Sequence, residues 1–326
     1  MIEKNIMILS AGRRVELVER FKAAAQKIGI KSKIVAVDIS DTAPAIHFAD
    51  VFYLIPRISA DGYIEALIDI SNKENISLII PTIDTELLKL MENREKIEAS
   101  TNAKILLSRD EVIKICRDKN NTQKFFEKNG FGVPKQLSAD DIKCENYAFP
   151  LFIKPEDGSS SINTFKVKNK AELDFFMDYI DKPMLQEFIE GTEFSVDVFC
   201  DFESNPITIV PRIRLATRSG EIAKGKVIKD REVIEDVKRV IENLKPIGHI
   251  TVQCMKTKRG IEYIEINPRF GGGAPMSIDA GADSCENLYR LLLGEALSYN
   301  ENYMDETLFV RFDNSIMFDK DMVRIK

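Results

Sequence analysis

Apolar positions in the first hundred residues recur with two different periods. Short runs of strand length occur at Ile6–Ser10, Lys33–Asp38, Val51–Ile55, Ser77–Pro81 and Ala103–Leu107. Between them, apolar residues fall three or four apart: Val18, Phe21, Ala25 and Ile28 before Gly29, then Ile64, Leu67 and Ile68, then a stretch from Leu87 to Ile97. A compact apolar run suits a buried strand, and the longer period buries one face of a helix. Strand and helix in strict alternation predict a parallel sheet wrapped by helices. Ligands of such sheets collect at the carboxyl ends of the strands, which nominates Gly12, Arg13, Asp38, Thr82 and Asp84. The first turn, Ser10-Ala-Gly-Arg-Arg-Val15, lacks the G-x-G-x-x-G spacing of a dinucleotide site, so NAD is disfavoured and Asp38 reads equally as a turn cap or a ribose ligand.

The pattern then changes. Arg109 to Gly130 reads as one helical stretch containing Lys119, by itself a surface lysine. Leu151–Pro155 is a strand carrying Lys154, followed by the turn Glu156–Ser161 and a second strand, Thr164–Val167. Amides and hydroxyls of such a turn can cradle phosphate oxygens beside an ammonium, although the P-loop spacing is missing. A helix at Ala171–Ile180 leads to the apolar segment at Met184, and Gly191 turns the chain so that Glu193 faces the same cleft. A strand at Ile207–Arg214, with Arg212, Arg214 and Arg218, and a helix striped by Val233, Val237, Val240 and Leu244 follow. The arginines are either a solvated edge or the recognition site for an anionic partner. A final helix, Ser284–Leu293, and a strand, Leu308–Phe318, end the chain.

Between these lie Gly248–Met255 and Ile261–Asn267, which read as a hairpin closed by the three-residue loop Lys258-Arg-Gly260. With Thr257 opposite Ile261, Gln253 stands opposite Glu265. Alternation puts Tyr263, Glu265 and Asn267 on one face and Ile264 and Ile266 on the other. Gln253, Glu265 and Asn267 then offer three oxygen donors, a set that suits Mg²⁺, or Mn²⁺, completed by water and phosphate. Arg269 follows Pro268 directly, and the run Gly271–Gly273 lets backbone approach a ligand.

Composition narrows the function. The chain has 326 residues, a net charge of -6 and five scattered cysteines without a C-x-x-C pair, so a general nucleic-acid surface, a disulfide framework and a zinc site are disfavoured and a cytoplasmic setting is expected. No apolar run approaches the ~20 residues of a membrane helix. Two histidines give poor support to a hydrolase triad.

In order and spacing, Lys119, Lys154 with its Gly158 turn, Gln186 to Glu193, and Gln253, Glu265, Asn267 and Arg269 resemble the ATP-grasp superfamily. Stand-alone proteins similar to one half of the carbamoyl-phosphate synthetase large subunit are the nearest likeness. The resemblance implies an N-terminal parallel α/β domain (1–110) followed by a two-subdomain ATP-grasp fold of α+β character, its small subdomain at 111–185 and its large one, with a C-terminal extension, at 186–326. It further implies ATP and Mg²⁺ as cofactors. Lys119 and Lys154 would meet the α- and β-phosphates, and Gly158, Ser159, Ser160 and Ser161 would cover the β- and γ-phosphates as a lid. The carbonyl of Glu187 and the amide of Ile189, with Gln186 nearby, would read adenine, and Glu193 would hold the ribose. Gln253, Glu265 and Asn267 would hold the metal, and Arg269 would act on the transferring phosphoryl group. The implied reaction joins a small-molecule carboxylate to an amine through an acyl phosphate; an ATP sensor without turnover and phosphoryl transfer alone are the alternatives. A homodimer is allowed.

Overall fold

The computed structural model describes residues 2–157, 162–218 and 220–325. Three sheets make up the molecule. The first contains β1 (Asn5–Ile8), β2 (Ile34–Asp38), β3 (Val51–Leu54), β4 (Ile76–Ile80) and β5 (Lys104–Ile105) in the order β3-β2-β1-β4-β5. All its pairings are parallel. Helices α1 (Val15–Ile28), α2 (Tyr63–Lys73), α3 (Asp84–Glu92) and α4 (Arg94–Ser100) supply the crossovers except that from β2 to β3, which runs through the short 3-10 helix Pro44–Phe48. The expected helix over Leu87–Ile97 is two helices meeting at Asn93. β1 and β2 are buried on both faces, which is why they read as continuous apolar runs. The order reverses between β1 and β4, so the loops after those strands, Leu9–Arg14 and Pro81–Ile83, meet at one edge.

The expected single helix at Arg109–Gly130 is also two, α5 (Asp110–Arg117) and α6 (Lys119–Lys128). Asp118 breaks it by taking extended backbone and accepting from the Asn121 amide as an N-cap. Lys119 therefore opens a helix instead of lying within one. After α7 (Ala139–Lys143), β6 (Leu151–Pro155) forms the centre of a three-stranded antiparallel sheet with β7 (Phe165–Val167) and β8 (Pro183–Glu187), covered by α8 (Lys170–Tyr179).

The third sheet contains β9 (Thr192–Cys200), β10 (Pro206–Arg218), β11 (Glu221–Val227), β12 (Gly248–Thr257), β13 (Gly260–Asn267) and β14 (Thr307–Val310), in the order β13-β12-β9-β10-β11-β14. Helix α9 (Arg231–Leu244) buries Val233, Ile234, Val237, Val240, Ile241 and Leu244 on it. Each such side chain contributes about 1.5–3 kcal/mol of transfer free energy. Helices α10 (Ala274–Asp279) and α11 (Ser284–Leu292) return the chain to α1, where Phe21 meets Phe270 and Tyr289 edge-on. The last strand is shorter than the expected Leu308–Phe318, because β11 offers it only four partners, from Lys224 to Val227. Among the described residues no helix is long and apolar enough to cross a membrane.

The hairpin of β12 and β13 differs from its expected form in a way that shapes the site. Thr257 pairs with Gly260, so the loop has two residues, and the register starts one position away from the expected one. A bulge then intervenes: Cys254 faces Tyr263 while Gln253 faces Glu265, leaving Ile264 extra. The bulge restores the expected pair and reverses the expected sides of Tyr263 and Ile264. Tyr263 joins Ile261 and Ile266 in the core, its ring stacked 4.6 Å from Phe126. Ile264 turns to the cleft beside Glu265.

Candidate active site

Two cavities meet at Glu265. The first, about 320 Å³, lies between the three-stranded and six-stranded sheets and is lined by Lys119, Lys154, Gln186, Glu187, Ile189, Glu193, Gln253, Ile264 and Glu265. The second, about 290 Å³, lies between the six-stranded sheet and the edge of the parallel sheet. Its lining includes Arg14, Thr82, Asp84, Gln253, Glu265, Asn267, Arg269 and Gly271–Gly273. Gln253, Glu265 and Arg214 line both.

Lys154 is the central cation of the first cavity. β6 buries it to 5% exposure, and it makes no hydrogen bond or salt bridge among the described residues. Burial pushes its ammonium down to about 8, with Lys119 adding to the effect and Glu265 opposing it. Lys119 is lowered as well, chiefly by burial and against the pull of Glu265, and it donates to the Pro155 carbonyl at 2.9 Å. Gln186 is buried and donates to Gln123 at 3.0 Å. The Glu187 carboxylate is turned out of the cavity: it accepts from the Lys135 amide at 2.8 Å and pairs with Arg259 at 2.6 Å. The Ile189 amide makes no hydrogen bond among the described residues. Glu193 lies 3.0 Å from Arg214 Nε without the alignment of a hydrogen bond. Gly191 serves close packing instead of a left-handed turn, since a methyl group there would stand 2.3 Å from the Lys256 carbonyl. Gly158, Ser159, Ser160 and Ser161 lie outside the described residues.

At the junction, Asn267 donates to Glu265 Oε1 at 3.0 Å and accepts from Arg269 at 3.2 Å. Glu265 Oε2 and the Gln253 side chain carry no hydrogen bond among the described residues. Among the described residues no three His, Cys, Asp or Glu side chains gather as a metal cluster. The donor set of one carboxylate with two amides fits a hard divalent cation that takes its remaining oxygens from water and phosphate.

Arg269 is clamped from the other side. Its guanidinium bonds the Asp84 carboxylate, presented by the first turn of α3 in the parallel-sheet domain. Its Nε is buried and has no hydrogen-bond partner among the described residues. Of the strand-end residues nominated from sequence, Thr82 and Asp84 reach the site. Gly12 and Asp38 form a turn, the Gly12 amide donating to Asp38 at 2.8 Å, so Asp38 is a cap. Arg13 points to a separate cavity under the C-terminal segment.

The three arginines of β10 do not form one anion pocket. Arg212 is bound by two 2.8 Å hydrogen bonds to Asp197, Arg214 turns to Glu193 and Ser195, and Arg218 is exposed and paired with Asp313. Burial works against the Asp197 charge, yet Arg212, with its two hydrogen bonds, and the nearby His249 overcome it and hold the carboxyl well below the usual range. The glycine run also differs from expectation. Methyl groups on Gly272 and Gly273 would stand 2.6 Å from Arg14 Nη1 and 2.5 Å from Arg212 Nη1, so these glycines admit guanidinium groups. Arg14, missed in the sequence, enters here, and the signal that could have found it was its place directly after the nominated Gly12-Arg13 turn.

Comparison with known proteins accords with this geometry. Residues 6–105 match the family described as PylC-like, N-terminal domain, and residues 116–273 the family described as ATP-grasp domain. The chain is 23% identical over 304 residues to D-alanine–D-alanine ligase B of Clostridium perfringens, covering 86% of this chain and 89% of that one. It is 23% identical over 276 residues to 3-methyl-D-ornithine–L-lysine ligase of Methanosarcina acetivorans, covering 84% and 70%. A match to carbamoyl-phosphate synthase of Methanobrevibacter smithii, 22% identical over 175 residues, covers 52% of this chain and 46% of that protein, so the chain spans less than half of that relative. Among solved structures, the biotin carboxylase domain of Hydrogenobacter thermophilus 2-oxoglutarate carboxylase, in complex with MgADP, ADP and bicarbonate, gives a TM-score of 0.73 at 19% identity, over 93% of this chain and 72% of that one. The protein belongs to the ATP-grasp superfamily and carries a PylC-like N-terminal domain, and the relatives named above that match most of its length are ligases.

Proposed function

We propose that the protein is an ATP- and Mg²⁺-dependent ligase that activates a carboxylate as an acyl phosphate for attack by an amine. The observation that carries this reading is the position of Glu265, one carboxylate shared by a cavity holding the buried Lys154 ammonium and a cavity holding a clamped arginine. On this reading the first cavity takes the nucleotide. Lys119 and Lys154 meet the α- and β-phosphates, the Glu187 carbonyl and Ile189 amide read the adenine edge beside Gln186 and Ile264, and Glu193 holds the ribose.

Gln253, Glu265 and Asn267 would hold Mg²⁺, which supplies charge neutralisation between the phosphates when bound. Carboxylate oxygen attacks the γ-phosphorus and ADP leaves; the amine nitrogen then attacks the acyl carbon, phosphate leaves, and the nitrogen gives up a proton. Arg269, held by Asp84 and Asn267, is oriented toward the second cavity before substrate arrives, so little reorganisation is needed as charge develops there. Among the relatives, the printed activities of D-alanine–D-alanine ligase and 3-methyl-D-ornithine–L-lysine ligase support carboxylate–amine coupling.

The test is ADP release from ATP with pools of carboxylates and amines, followed by mass spectrometry of the product. Amide formation is the expected result. Nucleotide binding with no ADP from any pool would favour an ATP sensor, and ADP without amide would favour phosphoryl transfer alone.

A further inference from the structure

Arg14 has no place in the roles assigned so far, yet it reaches the second cavity from the opposite domain. Its side chain is 17% exposed, and one nitrogen, Nη1, bonds Glu221 at 3.0 Å. Its other N–H groups make no hydrogen bond among the described residues, so a half-buried guanidinium presents unused donors to a cavity. The Glu221 carboxylate cannot neutralise it fully, because Arg13 and Arg311 also approach that group, each at 3.5 Å. Arg269 lies close enough for the two positive charges to repel, as the lowering of Arg14 by burial and by Arg269, against Glu221, shows. Gly272 provides the room, since a methyl group there would meet both Arg14 Nη1 and Glu221 Oε1 at 2.6 Å. Positive charge converges on a small polar cavity whose wall of glycine backbone excludes bulk, and an anion between Arg14 and Arg269 relieves it.

We infer that Arg14 is a specificity-determining residue that anchors a carboxylate or phosphate on the substrate, distinct from the nucleotide and from the carboxylate that is activated. The inference rests on the ligase reading for the word substrate; the anion site itself does not. It makes the substrate pair include a doubly functional molecule, such as an amine bearing its own acid group, with the acid fixed by the N-terminal domain. Guanidinium suits this task because its fork pairs two oxygens at once.

Anion binding is read first, without turnover. Parent, Arg14→Gln and Arg14→Lys proteins, each saturated with MgADP, are titrated with inorganic sulfate by calorimetry. The parent is expected to bind, and Arg14→Gln to bind about tenfold more weakly, with Arg14→Lys between them. Gly272→Ala, which keeps the charge and displaces the guanidinium, should resemble Arg14→Gln. Equal sulfate affinity in parent and Arg14→Gln, or no sulfate binding by the parent, overturns the inference. Failure of MgADP to bind counts against the ligase reading alone, because the same titration without nucleotide still judges Arg14. With a productive substrate pair, Arg14→Gln should raise the KM of one substrate about tenfold and leave that of ATP near the parent value. The carboxamide of that substrate should lose the same factor in the parent and nothing more in the variant. A loss confined to the KM of ATP would overturn the assignment.

Discussion

Lys154 and Arg269 stand on opposite sides of Glu265 and are held in opposite ways. The lysine is desolvated and has no bonded partner among the described residues, so its charge is costly until an anion arrives. The arginine is fixed by Asp84 and Asn267, and its charge is partly neutralised beforehand. On the ligase reading, one side stores affinity for a polyanion and the other stores orientation. A binding step and a chemical step ask for just this division, since ground-state affinity comes from charge awaiting a partner and rate comes from groups that need not move.

Glu265 belongs to both sides, so its loss should have the largest effect. Glu265→Gln is expected to lower Mg²⁺-dependent ADP release by about 10²–10³-fold, with a much smaller change in nucleotide affinity measured without Mg²⁺. Parent-like turnover at saturating Mg²⁺ would remove it from the junction. Lys154→Met acts on one side alone and should lower kcat/KM for ATP by about 10–100-fold while kcat at saturating ATP changes little. Because the parent ammonium sits at about 8, its kcat/KM for ATP should fall as pH rises through that value, and Lys154→Arg, which stays charged, should lack that limb. A pH profile common to both proteins would separate Lys154 from the phosphates.

Asp84→Asn tests the other side. It should lower kcat by about tenfold and leave the KM of ATP alone, because it loosens Arg269 without touching the first cavity. A shift in ATP affinity of similar size would erase the distinction between the sides. The last effect is on stability instead of rate and belongs to Glu86, which is fully buried and accepts from Ser10 and Tyr63. Burial raises its carboxyl to about 7, and hydrogen bonds from Ser10, Tyr63 and backbone amides oppose the shift only in part. The folded pKa exceeds the unfolded one, so its contribution to stability is complete below about 4.5 and is lost as pH rises through about 7. Relative to Glu86→Gln, the parent should lose about 2–3 kcal/mol of stability between pH 4.5 and 8, measured by denaturant unfolding. Parallel pH curves for the two proteins would show that Glu86 does not titrate in that range.

The two sides also differ in how far the sequence revealed them. The first cavity was legible through Lys154 on its strand before a polar stretch and through the pairing of Gln253 with Glu265, signals that act over a few residues. The second is assembled from the loops after β1 and β4, from β10, and from the stretch after β13. Asp84 was nominated as a strand end, but nothing local couples it to Arg269, 185 residues away. The arginines of β10 attracted attention by clustering, whereas their carboxylate partners, Asp197 and Glu193, lie on a neighbouring strand and decide that they are neutralised. Periodicity identified the parallel sheet well because its strands are buried on both faces. It placed Tyr263 and Ile264 on the wrong sides because a bulge leaves no mark in an alternating pattern.

That bulge matters to anyone who would rebuild this hairpin in another scaffold. Copying the sequence onto an ideal two-stranded ribbon would put Tyr263 in the cleft and Ile264 in the core, and would unstack Tyr263 from Phe126. The transferable part is therefore eight residues of β13 together with one irregular backbone step, and a graft that regularises the step carries the letters of the site without its shape.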